Sequence, residues 1–196
     1  MESLAMFQKS LRAERVSLSL LSMPLNKYAP QVANHRRTQV AILEGAKSLI
    51  ATVGLKKMSM IEIADISQVS RATLYNHYRD KDSVLRALCE SETERFVNLA
   101  RNSTSAIDAL EKLSVEISQD NALENMRKTD PESLTLFLSS QEDRLWKAAS
   151  SAISLVVVDP VVSELTVRWL IGQALHPLTP SQSRQQAEVI IKSANL

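Results

Sequence analysis

Residues 59–78 contain two short helical patterns separated by a three-residue break, and the second pattern carries side chains suited to DNA. Arg71 and Asn76 can each form paired hydrogen bonds to base edges in a major groove. Thr73 and Tyr75 can donate to phosphate oxygens, which orients a protein on DNA without reading its sequence. The spacing predicts a helix-turn-helix, and a helical hairpin within a larger bundle is the alternative that it leaves open.

Capping residues predict where the helices that hold these side chains begin. Ser59 and Glu62 have the spacing of a capping box, in which each residue satisfies a backbone N–H group of the other. Ser70 and Asp80 are suited to cap two further helices. Residues 67–69 therefore form the predicted turn between the first two helices.

Helical periodicity continues through the rest of the chain. The apolar residues of 34–53 lie on one helical face, and Gly54 would end that helix in the left-handed conformation. Three later helix starts combine a capping residue with a following proline, at Asp130-Pro131, Asp159-Pro160 and Thr179-Pro180. We predict an all-α fold, with an N-terminal three-helix helix-turn-helix domain followed by a helical-bundle domain for dimerisation and regulation.

Composition excludes several classes of protein. The single cysteine, Cys89, rules out an internal disulfide framework, and the sequence has no glycine-rich phosphate loop, nucleophile elbow or metal-ligand cluster. No apolar run is long enough to span a membrane, which needs about 20 residues. We therefore expect a cytoplasmic protein that is not an enzyme, with no cofactor, no metal and no membrane contact.

Charge is distributed unevenly along the chain. Residues 34–83 carry eight basic and five acidic side chains, a balance of +3, whereas residues 84–196 carry eleven and fifteen, a balance of −4. A basic front part indicates a polyanionic partner such as double-stranded DNA, although a balance of +3 is also compatible with ordinary variation.

Residues 36–85 resemble the DNA-binding domain of the tetracycline-repressor (TetR) family of bacterial transcription regulators. The most specific part is the string from Thr73 to Lys81, TLYNHYRDK. The sequence departs from the family in the turn, where Gln68 replaces the usual glycine, and at Tyr78, where phenylalanine is common. If Gln68 has a positive φ, the strain is about 1 kcal/mol.

The resemblance implies roles for individual residues. Base contacts fall on Arg71, Ala72 and Asn76. The expected phosphate contacts are Arg36, Arg37, Ser59, Thr73, Tyr75, His77 and Lys81. Lys81 would act together with free backbone N–H groups at the start of its helix.

Arg36 and Arg37 are expected in the first turn of the first helix, where the helix dipole disfavours cations. A nearby phosphate would offset this cost, and a solvated positive turn is the alternative.

The resemblance also implies a dimer interface in the last two helices and an effector pocket in the bundle. The expected interface residues form an apolar stripe, for which packing within one chain is the alternative: Val161, Leu165, Trp169, Gly172, Val189 and Ile190. The expected pocket residues are bulky or adaptable, and each could instead belong to the core: Phe96, Met126, Phe137, Trp146 and His176.

The predicted organisation has three parts. Residues 1–33 form a flexible arm, for which a signal peptide or a start at Met23 are alternatives; residues 34–83 form the DNA-binding domain; and residues 84–196 form the dimerisation and effector domain. The predicted function is that of a homodimeric, ligand-responsive repressor that binds a near-palindromic operator. The alternative is a DNA-associating protein of the same fold without a small-molecule effector, for example one linked to cell division or to the nucleoid.

Overall fold

The computed structural model describes residues 29–140 and 142–194, and every regular element in those residues is an α-helix, as predicted. The chain divides into two compact units, residues 1–39 and 40–196. The described helices are α1 (Ala29–Thr52), α2 (Met60–Ile66), α3 (Arg71–His77), α4 (Lys81–Arg101), α5 (Ala106–Ser118), α6 (Asn121–Thr129), α7 (Pro131–Ser140), α8 (Glu142–Ile153), α9 (Pro160–Gly172) and α10 (Pro180–Ala194).

The first helix starts earlier than its sequence pattern indicates. Helix α1 already includes Ala29, so Arg36 and Arg37 lie about two turns inside it. The prediction that these arginines occupy the first turn is therefore wrong. The helix dipole acts mainly within the terminal turn, so it gives no reason to expect a phosphate beside them. Residues 1–28 of the predicted arm lie outside the described residues.

The predicted caps are confirmed around the helix-turn-helix. Gly54 follows α1 with φ +89. Ser59 and Glu62 form the capping box at the start of α2. The side chains of Ser70 and Asp80 accept backbone N–H groups at the starts of α3 and α4. The three caps at helix starts satisfy N–H groups that have no partner within the helix, whereas the Gly54 N–H donates to the Leu49 carbonyl at the end of α1.

Two hydrophobic clusters hold the helices of residues 40–196. The first joins α1, α2, α3 and α4 to α6 and α7, and its fully buried side chains include Ile42, Ile63, Leu74 and Val84. The second joins α4 and α5 to α8, α9 and α10, with Leu110 and Val167 fully buried. Helix α4 contributes to both clusters and so links the helix-turn-helix to the bundle within this unit.

Candidate nucleic-acid interface

The turn between α2 and α3 is tight and conformationally unusual. Gln68 has φ +54, and it is the only non-glycine residue with a positive φ in the described ranges. The Val69 backbone N–H donates to the Ala64 carbonyl at 3.0 Å and closes the turn. The strain expected at Gln68 from the sequence is thus present in the structure.

Replacing Gln68 with glycine is expected to stabilise the protein slightly. Glycine removes a left-handed penalty of about 1–2 kcal/mol but costs about 0.5–1 kcal/mol of chain entropy, so the free energy of unfolding should rise by up to about 1 kcal/mol. Urea unfolding checks this. Gln119→Gly is the matched control, because Gln119 also follows a helix but has φ −98. A gain for both variants, or for neither, would contradict the strain at Gln68.

Helix α3 is oriented by the side chains that it buries. Leu74 is fully buried, and Tyr78, directly after the helix, is 7% exposed. Side chains on the opposite face of a short helix must then point outward, at the spacing of one helical turn. The exposed residues on that face are Arg71, Ala72, Tyr75 and Asn76. The structure thus brings the three expected base-contact residues together on one accessible face.

Three of the expected phosphate contacts are less accessible. Thr73 is half-buried, and its hydroxyl lies 2.7 Å from that of Ser70. His77 is half-buried, and its ring lies 6.2 Å from that of Tyr78. The Ser59 hydroxyl donates to the Glu62 carboxylate at 2.8 Å, and this negative charge would repel a phosphate. Tyr75, another expected phosphate contact with a hydroxyl group, is accessible, because the residue is 53% exposed.

Lys81 has a structural role that its sequence position does not indicate. Its ammonium donates to the Leu55 carbonyl at 2.7 Å and so ties the start of α4 to the loop after α1. Asp80 caps the same helix end, and its hydrogen bond from the Ser83 backbone holds the pKa of its carboxyl below the ordinary value. A phosphate at this helix end would therefore meet an ionised carboxylate as well as the ammonium. An ammonium has three N–H donors, so Lys81 can bind a phosphate and keep its hydrogen bond to the Leu55 carbonyl.

Gly45 of α1, which was not among the predicted site residues, lies against the turn. A Cβ atom at this position would stand 2.2 Å from the Ser67 Oγ and 2.9 Å from the Ile66 Cγ2. The absence of a side chain therefore lets α1 and the turn pack closely. An isolated glycine inside a helical pattern is the sequence signal for such an approach.

Residues 40–196 also form a partly open apolar cavity of about 240 Å³. Phe96 and Met126, both predicted as pocket residues, line it. His176 does not, because it is exposed in the segment between α9 and α10. Phe137 and Trp146 lie in α7 and α8, but the structure does not describe their side chains.

A charged cluster on the cavity wall was missed in the sequence. Lys47 lies 2.7 Å from Glu92 and 2.7 Å from Asp120. Burial lowers the pKa of Lys47, but its hydrogen bonds to Asp120 and Glu92 outweigh burial and raise that pKa above the ordinary value. The three residues come from α1, α4 and the cap of α6, so no local pattern connects them.

The predicted dimer stripe divides into two groups. Trp169 and Ile190 pack partly against the second cluster, and the Trp169 indole N–H donates to the Gln186 amide oxygen at 2.6 Å. The other members face outward. They are Val161 at 66% exposure, Leu165 at 58%, Val189 at 63% and the exposed Gly172.

The described residues contain neither a candidate membrane span nor a candidate metal cluster. No helix in ranges 29–140 and 142–194 is long and apolar enough to cross a membrane. The same residues contain no group of three histidine, cysteine, aspartate or glutamate side chains placed to hold a metal ion.

Helix α2, the turn and α3 together form a helix-turn-helix. The family model for bacterial regulatory proteins of the tetR family matches residues 42–88. The HTH-type transcriptional repressor Rv1474c of Mycobacterium tuberculosis is 35% identical over 65 residues, 33% of this chain and 34% of that protein. The HTH-type transcriptional regulator TtgR of Pseudomonas putida is 30% identical over 70 residues, 36% and 33% of the two chains. The aligned part spans about a third of each relative.

The fold likeness extends beyond the matched sequence. The TetR family repressor AlkX from Dietzia sp. strain DQ12-45-1b has a TM-score of 0.59 and 18% identity, with coverage of 79% of this chain and 96% of that one. Residues 42–88 are thus similar to bacterial regulatory proteins of the tetR family, and the fold is similar to that of a TetR family repressor.

Proposed function

We propose that this protein is a homodimeric, ligand-responsive transcriptional repressor that binds a near-palindromic operator through the exposed face of α3. The observation that carries this proposal is the accessible grouping of Arg71, Ala72 and Asn76 on the second helix of a tetR-family helix-turn-helix. The repressor assignment is supported by the similarity to the HTH-type transcriptional repressor Rv1474c of M. tuberculosis. The proposed site of action is chromosomal DNA in the cytoplasm.

Dimeric binding follows from the length of α3. A helix of seven residues reaches only a few base pairs, so one copy reads a short site. A two-fold dimer presents two such helices and reads an inverted repeat whose half-sites lie about one helical turn, or a multiple, apart. Twofold symmetry in the operator is therefore the expected signature.

Selection of bound sequences from a random DNA pool tests the proposal. The expected result is enrichment of an inverted repeat, with binding that weakens as salt concentration rises. Enrichment of a single unpaired half-site would contradict binding as a homodimer. Absence of any enriched sequence, together with uniform binding to all DNA, would favour the alternative of non-specific DNA association.

The exposed face of α9 is the proposed dimer seam. Replacing Leu165 with glutamate should raise the dimer dissociation constant at least tenfold, about 1.4 kcal/mol, because the interface would bury an unpaired charge in each subunit. Leu165 is 58% exposed in one chain, so the subunit itself should remain folded. Sedimentation equilibrium measures the change.

Leu136→Glu provides the matched control, since Leu136 is 67% exposed but lies on α7. It should leave the dimer intact. Leu165 is a better position for this substitution than Trp169, because the Trp169 indole N–H also donates a hydrogen bond to Gln186 within the subunit. A Leu165→Glu variant that remains fully dimeric would place the seam elsewhere.

The ligand-responsive part of the proposal is supported by the apolar cavity. Its wall includes Lys47 and Ile50 of α1, which also carries part of the helix-turn-helix core. A ligand in the cavity would therefore contact the helix that packs against α2 and the turn. The same fold without an effector gives no reason for an apolar cavity at this position, since voids larger than a water molecule are few in protein interiors.

A further inference from the structure

The cavity is large enough for a small organic ligand. An engineered apolar cavity of about 150 Å³ holds benzene, so the 240 Å³ here fits a body of roughly ten carbon atoms. Its described wall is almost entirely apolar, with side chains such as Leu88, Phe96 and Leu113. Such a wall selects a ligand whose body is hydrophobic.

The charges on the wall are unbalanced. Among the described lining residues, the ammonium of Lys47 stands against the two carboxylates of Glu92 and Asp120, a net charge of −1. The Asp120 side chain is 12% exposed and that of Glu92 is 26% exposed, so water screens them only partly. Arg95 also contacts Glu92, but it is paired with Glu116 as well, and these two charges cancel.

We propose that this cavity binds a lipophilic cation, whose charged group takes the place of the Lys47 ammonium beside Glu92 and Asp120. This inference rests on the proposed function, because it names the effector class of the same protein. An anion would bring the local charge to −2. An uncharged ligand would gain only apolar contact and leave the Lys47 pairs intact.

The exchange of partners also explains how binding would act on DNA recognition. Lys47 lies on α1, Glu92 on α4, and Asp120 caps α6. While Lys47 holds both carboxylates, α1 is tied to α4 and to the start of α6. A cation that occupies the carboxylates releases these ties, and the operator affinity should fall because α1 supports α2 and the turn.

Three probes of one shape test the charge preference. They are 4-tert-butylbenzylammonium, 4-tert-butylbenzyl alcohol and 4-tert-butylbenzoate, measured by titration calorimetry against the full chain without DNA. The ammonium should bind at least tenfold more tightly than the alcohol, and the benzoate should bind most weakly. Equal binding of the ammonium and the alcohol, or tighter binding of the benzoate, overturns the inference.

Matched variants locate the preference at the cluster. Asp120→Asn keeps the helix cap, since the Asp120 Oδ1 accepts the Leu123 N–H at 2.9 Å and asparagine caps equally well. It should reduce the ammonium preference about tenfold, whereas Lys47→Met should increase it. The control Glu124→Gln removes an exposed carboxylate of the same helix, paired with Lys128, and should change nothing.

A second carboxylate variant, Glu92→Gln, gives the same test if Asp120→Asn fails to fold, as judged by circular dichroism. Equal losses in Asp120→Asn and Glu124→Gln would overturn the local site. An ammonium that binds but leaves affinity for the selected operator unchanged overturns the exchange of partners. Absence of operator binding in the protein without probe instead refutes the proposed function, which keeps the two failures distinguishable.

Discussion

Replacing Arg71 or Asn76 with alanine is expected to weaken binding to the selected operator by about 1–3 kcal/mol for each half-site and to relax base preference at one position. Both side chains are exposed on α3 and contribute nothing to the buried cluster around Leu74. The loss should therefore appear in binding and leave the free energy of unfolding nearly unchanged. Isotherms on the operator and on random DNA, at several salt concentrations, measure it.

Phosphate contacts provide the contrast for this experiment. Lys81→Ala should weaken binding to operator and random DNA alike and lower the salt slope by about one per subunit, because a phosphate carries no base identity. This variant also loses the hydrogen bond to Leu55, so its unfolding must be measured in parallel. Tyr75→Phe removes only an exposed hydroxyl and is the milder companion.

The two groups of variants must differ in sequence dependence. If Lys81→Ala were selective for the operator while Arg71→Ala and Asn76→Ala weakened all DNA equally, the face of α3 assigned to the bases would be wrong. A helix-turn-helix could still bind DNA in that case, but with another side of the helix in the groove.

The features that were predicted correctly are local ones. The capping box of Ser59 and Glu62 joins residues three positions apart, and its atoms meet at 2.9 Å. The caps at Ser70 and Asp80 have the same short range. A sequence shows such contacts directly, because the backbone conformation at a helix start places the two groups together.

Features that depend on distant residues were not predictable. Lys81 meets the Leu55 carbonyl, 26 positions away, and Lys47 meets Glu92, 45 positions away. Neither pair shares a helix or a turn, so only the packed arrangement of helices brings them together. The early start of α1 was missed for another reason: residues 29–33 carry no apolar stripe that would extend the periodic face.

Gly45→Ala is expected to destabilise the protein by about 1–2 kcal/mol, although alanine is the better helix former by about 1 kcal/mol. The sign is decided by the turn. The new Cβ would lie 2.2 Å from the Ser67 Oγ and 2.9 Å from the Ile66 Cγ2, distances at which the turn must move. Because the turn sets the direction of α3, operator affinity should fall with stability.

Ser67→Ala should rescue much of this loss. Ser67 Oγ is buried and has no hydrogen-bond partner among the described residues, so its removal alone should cost little. In the double variant the closest contact is gone, and the helix preference of alanine at position 45 can then be realised. A double-mutant cycle from urea unfolding, with operator isotherms for the same four proteins, measures the coupling. Additive effects, or a stable Gly45→Ala variant with full operator affinity, would show that α1 and the turn do not pack as closely as described.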